Sequence, residues 1–222
     1  MNRGLQLIRM AAGARREEPV AAGFSYLQMT QEDANLSTYT FSGVNIGEAT
    51  AARVVICSCS FRSGTDTISV TSATIGGVAA TVQQTVNLGT MVTIFWATVP
   101  TGASADVVVN LSAGAVRGVL YTYATTFGVV MVAASASAPG GNQTTLSIEP
   151  GFAVGHIHSH FTSAETVYTW TGLDEDGMLF QENNSTSASA SREFTESIAD
   201  HFVQAAGGSA GPRLLVVSFK PS

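Results

Sequence analysis

Lysine is all but missing from this chain. Lys220 is the only one in 222 residues, and nine arginines and this lysine face 16 acidic residues. Charged residues make up 12% of the sequence, about half of the roughly 25% usual in soluble domains. The shortage excludes several classes. A disordered chain combines low hydrophobicity with high net charge, whereas this one is 45% hydrophobic. A nucleic-acid binder presents a basic face; here the formal net charge is −6, so nucleic acid is not an expected partner. No apolar run reaches the roughly 18 residues of a membrane-crossing helix, so no membrane is expected either. The two cysteines are too few for a disulfide framework, and an oxidising compartment is not implied. Nucleophile-elbow, P-loop and dinucleotide-binding fingerprints are also missing.

What is abundant is small. Ala 30, Ser 23, Thr 25 and Gly 22 account for 100 of the 222 residues. Such side chains lose little rotamer entropy when a surface packs against a neighbour. The few charges are unevenly placed. Arg3, Arg9, Arg15 and Arg16 stand against Glu17 and Glu18 in the first 18 residues, a net of +2, while the remainder holds 6 basic and 14 acidic groups, a net of −8. A basic arm on an acidic body suits docking on another protein, and these four arginines are the candidate partner-binding residues. A frayed, solvated terminus is the alternative. The arm does not read as an export signal, because Arg9 interrupts its apolar residues.

Almost every patterned segment reads as strand. Residues 22–29, 38–43, 53–62, 67–75, 78–86, 91–99, 106–112, 116–124, 129–136, 144–149, 152–161, 166–171, 177–182 and 213–219 are short and rich in Val, Ile, Thr, Phe and Tyr. Gly, Pro, Asn and Ser clusters separate them, the pattern of an all-β sandwich or barrel. Cys57 and Cys59 share one strand face with Val55 and Phe61, which makes them buried thiols packing as small hydrophobes. A metal half-site would need a second pair, which the sequence lacks. Helix signals are thin: an arm helix over 4–18, and a stripe of Phe194, Ile198 and Phe202 at i, i+4, i+8 within 193–206. A long loop with a helical turn is the alternative there. The Ser/Ala alternation of 183–191 suits a flat surface strand or a flexible loop. We expect an N-terminal arm over 1–18 and one domain over 19–222, with a lesser boundary near 139–142. The apolar last strand, Leu214 to Phe219, is expected to pair centrally.

Three runs carry a family likeness: Tyr39-Thr-Phe-Ser-Gly-Val-Asn-Ile-Gly47, Arg53-Val-Val-Ile56 and Ala73-Thr-Ile-Gly-Gly-Val-Ala-Ala-Thr81. Val99-Pro-Thr-Gly102 and Thr169-Trp-Thr-Gly-Leu173 extend it. Over roughly 38–220 the chain resembles β-rich virion structural proteins of tailed bacteriophages, of the head-decoration, head-spike or tail-associated type. The motifs mark turns and core, not chemistry. The resemblance implies a non-enzymatic virion component that packs on other capsid or tail proteins as a homo-oligomer, a trimer being the leading arrangement.

The most unusual local run is Gly155-His-Ile-His-Ser-His160. On a strand, His156, His158 and His160 project from one face, about 7 Å apart. Three readings follow. The row is a hydrogen-bonded polar face on an exposed or intersubunit strand; or it binds a transition metal, one or two histidines from each of three chains meeting on an axis; or it senses pH at an interface. His158, His160 and Glu165, followed by Gly172, also match the first half-motif of the cupins, metal-dependent enzymes, but the second half-motif is absent. Tyr168 with Trp170 could serve as a sugar-stacking platform of a carbohydrate-binding module, although such aromatics are commonly strand residues at a rim. Asp174-Glu175-Asp176-Gly177 reads as a solvated acidic turn, its spacing unsuited to a calcium loop. The expected fold is therefore an all-β, jelly-roll-like sandwich, with no cofactor beyond that metal.

Overall fold

The computed structural model describes residues 23–85, 88–137, 141–160, 167–181, 185–207 and 212–222. The expected arm, with its four arginines, lies outside them. The described chain is all β, with no helix. In its first half the strands are β1 (Phe24–Glu32), β2 (Leu36–Asn45), β3 (Val54–Thr67), β4 (Val70–Ile75), β5 (Val78–Ala79), β6 (Thr81–Thr85), β7 (Leu88–Thr98), β8 (Ser104–Ala115) and β9 (Arg117–Thr125). The second half has β10 (Val129–Ala136), β11 (Gln143–Ile148), β12 (Gly151–His160), β13 (Thr169–Thr171), β14 (Asp174–Gln181), β15 (Ser185–Phe194), β16 (Ile198–Ala206) and β17 (Arg213–Pro221).

These strands form four antiparallel sheets in two pairs. The N-terminal pair has one sheet ordered β1-β9-β3-β7-β6 and one ordered β2-β8-β4-β5. The C-terminal pair has β10-β17-β12-β15-β14 and β11-β16-β13. The two orders are the same, strand for strand, save for the short β5. β3 and β12 occupy the central position of their sheets, and β9 and β17 sit beside them. The chain passes from one pair to the other at 126–128, so the boundary expected near 139–142 falls inside the second pair instead. The last strand does pair centrally, between β10 and β12.

Three apolar clusters hold the four sheets as layers. One, around Tyr39, Phe41, Phe61 and Phe95, lies within the N-terminal pair and contains both free cysteines, Cys57 and Cys59. Another, around Ile157, Leu173, Ala188, Ala190 and Val203, lies within the C-terminal pair. The third joins the pairs: Val54, Ile56, Val92, Ile94 and Tyr123 meet Phe152, Val154, Val217 and Phe219. The five-stranded sheets are thus buried on both faces, which explains runs such as Val54-Val-Ile56 and Leu214-Leu-Val-Val217 in which every residue is apolar.

Two segments overturn the expectations. Residues 193–206 form the end of β15 and all of β16, not a helix. Ile198 and Phe202 lie on one strand face and Val203 and Ala205 on the other, buried one. The spacings of four and eight that suggest a helix are even numbers, so they also keep one face of a strand. Residues 185–191 are neither surface strand nor loop; they are buried throughout β15. Their small side chains let a strand pass between two layers.

Candidate functional site

The histidine row lies on β12. Alternation turns Ala153, Gly155 and Ile157 toward the C-terminal core and Phe152, Val154, His156 and His158 toward the N-terminal pair. Gly155 is small because the row's reverse face is occupied: a Cβ there would stand 2.7 Å from Leu173 Cδ1 and 3.1 Å from the Trp170 ring.

His156 is fully buried and hydrogen-bonded on both nitrogens. Nδ1 lies 3.0 Å from Ser58 Oγ of the N-terminal pair, and Nε2 lies 2.9 Å from Ser187 Oγ on the neighbouring β15. The Tyr121 ring meets the imidazole edge-on at 5.2 Å. From there a hydroxyl network runs across the layers. Ser58 pairs with Ser189 and Ser60 with Ser187, each at 3.0 Å. Tyr121 OH donates to the Ser187 carbonyl at 2.9 Å. Tyr123 OH reaches Ser189 Oγ at 2.6 Å and donates to Asp176 at 2.9 Å, where Ser191 also donates at 3.0 Å. The serines of the Ser/Ala segment therefore face the N-terminal pair, while its alanines fill the C-terminal core. Asp174-Glu175-Asp176-Gly177 begins β14 and is not a turn, and Asp176 is half-buried rather than solvated.

Burial sets the protonation states. It pushes the His156 imidazole well below its ordinary value, and nearby His158 adds to this. His158 falls to about 3, first through burial and then through Arg62, His160 and Arg117. His160 is lowered by burial and by the Arg62 guanidinium, which donates to its Nε2 at 2.7 Å. Asp176 is raised to about 6, burial outweighing its two hydrogen bonds. At neutral pH the histidines of the seam are neutral.

Chemically, a serine hydroxyl 2.9 Å from an imidazole nitrogen has the spacing of an activated nucleophile. Access decides against that use: Ser58, His156, Ser187 and Ser189 are all 0% exposed. Each expected site can now be placed. His156 and His158 are sealed within one chain, where no other chain's ligands reach, so they do not meet an axis between copies. His160 faces a guanidinium. Among the described residues, no group of three or more His, Cys, Asp or Glu is arranged to hold a metal ion. For the cupin reading, Glu165 lies outside the described residues and His158 is wholly enclosed. Tyr168 is buried and Trp170 half-buried, both packed against the C-terminal core, so Tyr168 offers no open ring face to a sugar.

Sequence reasoning missed the partners of the row. Ser58 and Ser60 alternate with the cysteines, and Ser187 and Ser189 with alanines, so a period of two was visible in both segments. What the sequence did not show was that the two serine faces look at each other. Comparison with known proteins finds no matching family model, no matching characterised protein and no matching solved structure.

Proposed function

We propose that the chain is a non-enzymatic structural component of a tailed-phage virion, a head decoration, head spike or tail-associated protein. In this reading each sheet pair is a jelly-roll-like β-sandwich, and copies assemble as a homo-oligomer, with the trimer as first expectation. The observation that carries it is the use made of the polar residues. The groups with most chemical capacity, His156, Ser187, Tyr123 and Asp176, are spent on joining the two sheet pairs. The outer face is plain by contrast. On β2, β4 and β8 it carries a hydroxyl and amide ladder in which Thr38 donates to Asn110 at 2.8 Å and Asn110 donates to Ser72 at 2.9 Å. Faces made mostly of small, uncharged, low-entropy side chains, as here with Asp106 the charged exception on β8, suit packing against neighbours. The motif likeness to virion proteins points the same way.

The arm supplies the anchor in this proposal, through Arg3, Arg9, Arg15 and Arg16. Mass spectrometry of purified particles should find the protein in stoichiometric amount. Deleting residues 1–18 should abolish its incorporation while leaving the circular dichroism and melting of the body intact. Particles carrying the truncated protein at full occupancy would refute the anchoring role.

A further inference from the structure

The turn that leads from β15 into β16 stands between two hollows, and Glu193, Phe194 and Thr195 line both. On one side is a cavity of about 90 Å³ walled by Phe127, Pro150, Phe152, Phe194 and Pro221, with Glu193 as its single charged residue. On the other is an open groove of about 300 Å³, where Arg192, Glu193, Glu196 and His201 surround Phe194 and Ile198.

The cavity is smaller than the roughly 150 Å³ space that holds a benzene, so its apolar walls suit one aliphatic side chain rather than a ring. The groove is acidic on balance. Arg192 faces Asp174 at 4.0 Å and lies over the Phe194 ring. Glu193 and Glu196 form no salt bridge among the described residues. His201 donates from Nε2 to the Gly172 carbonyl at 2.9 Å. An aliphatic group with a cation beside it matches both hollows at once.

The arm, outside the described residues, carries such a pair. Leu7 and Arg9 are alternate residues, and in an extended segment they share one face about 7 Å apart. The arm joins the body at Gly23, and Gly23 lines the cavity, so every copy holds its groove where its arm departs. Two features of the arm turn it away from its own groove: Pro19 favours an extended residue before it, and Glu17 and Glu18 carry the same charge as the acidic rim. Residues 10–22 span up to about 45 Å, enough to carry Arg9 to a neighbouring copy.

We infer that Leu7 and Arg9 of one copy seat beside Phe194 of a second copy, Leu7 in the cavity and Arg9 between Glu193 and Glu196. The inference rests on the homo-oligomer of the proposed function and names the contact that holds it. Each copy gives one arm and receives one, a head-to-tail contact that can close into a ring.

The full chain tests this by light scattering over a range of concentrations, at low and high salt. Assembly that grows with concentration and weakens with salt is expected. Leu7→Ser should raise the dissociation constant about tenfold or more, and Glu193→Arg about fivefold. Glu193 is exposed, so its replacement spares the fold. Adding Arg9→Glu to Glu193→Arg should recover the assembly. Glu48→Arg, the same reversal at an exposed residue between β2 and β3, should leave the mass unchanged. A full chain that stays monomeric, or an assembly indifferent to both Leu7→Ser and Glu193→Arg, would overturn the exchange. A monomer whose melting falls with Leu7→Ser places the arm in its own groove and overturns it as well. Absence of the protein from purified particles would sink the virion reading alone, since assembly is read on the isolated protein.

Discussion

β3 and β12 hold the same place in two sheets of the same order, yet they are filled on opposite plans. Toward its own core β3 sends Val55, Cys57, Cys59 and Phe61, and the large ring of Phe61 fills the space itself. Toward its own core β12 sends Ala153, Gly155 and Ile157, and the space is filled from elsewhere, by Trp170 and Leu173. Across the seam the sizes are reversed. β3 offers Ser58 and Ser60; β12 offers His156 and His158. Without one identical residue between 54–62 and 152–160, the two strands build equivalent layers. A shared topology therefore constrains the total volume at a position more than the identity of the residue there.

That contrast can be broken from either side. The largest effect is expected for Phe61→Ala, which empties a self-filled core and should cost about 3–5 kcal/mol, read from the denaturation midpoint. Ile157→Ala, on the same face two residues before the equivalent position of β12, should cost less, because Trp170 and Leu173 from other strands fill much of the space there. A next-largest effect is expected for His156→Leu. It leaves the Ser58 and Ser187 hydroxyls one partner short, at about 1–3 kcal/mol. A double-mutant cycle with Ser58→Ala should return a coupling of about 0.5 kcal/mol or more; additivity would mean that the bond carries no weight. Gly155→Ala should cost about 1–3 kcal/mol by pushing its new methyl into Leu173 and Trp170, while an alanine at Cys57, the equivalent position, should be milder.

Acid offers a graded test. His156 and His158 stay neutral in the folded protein but take protons in the unfolded chain below about 6.5. Their folded values are depressed, so stability is complete above that pH. It should fall between roughly 6.5 and 3, by up to about 1.4 kcal/mol per pH unit for each histidine. Asp176 works in the other direction. Its folded value, about 6, is raised, so it takes its proton earlier in the folded protein and offsets part of the loss between about 6 and 4. Asp176→Asn should therefore steepen acid unfolding over that window, and a curve unchanged by the substitution would count against the assignment.

Each of the fourteen segments expected as strand meets a strand in the structure, because turn clusters and β-branched residues are local signals. β16 escaped notice, and β15 was read only as a surface strand or a loop; both hide for physical reasons. A strand of serine and alanine has no hydrophobic pattern; its burial depends on hydroxyls satisfied by another layer. A strand with Phe194, Ile198 and Phe202 nearby imitates a helix through even spacings. The histidines were visible as unusual, and their shared strand face was legible. Their burial was not, since it depends on Ser58 and Arg62, each of which lies 98 residues from the histidine it meets, His156 and His160 respectively.

Equivalent positions of β3 and β12 touch: Ser58 meets His156, and Arg62 meets His160. Were the two sheet pairs separate but identical chains related by a twofold axis, like would have to face like at these points. Histidine would meet histidine and arginine would meet arginine. Written as consecutive halves of one polypeptide, the two sides are free to differ, and a donor can be set against an acceptor. The asymmetry of the seam is thus something that a covalent tandem can encode and a symmetric pair of identical chains cannot.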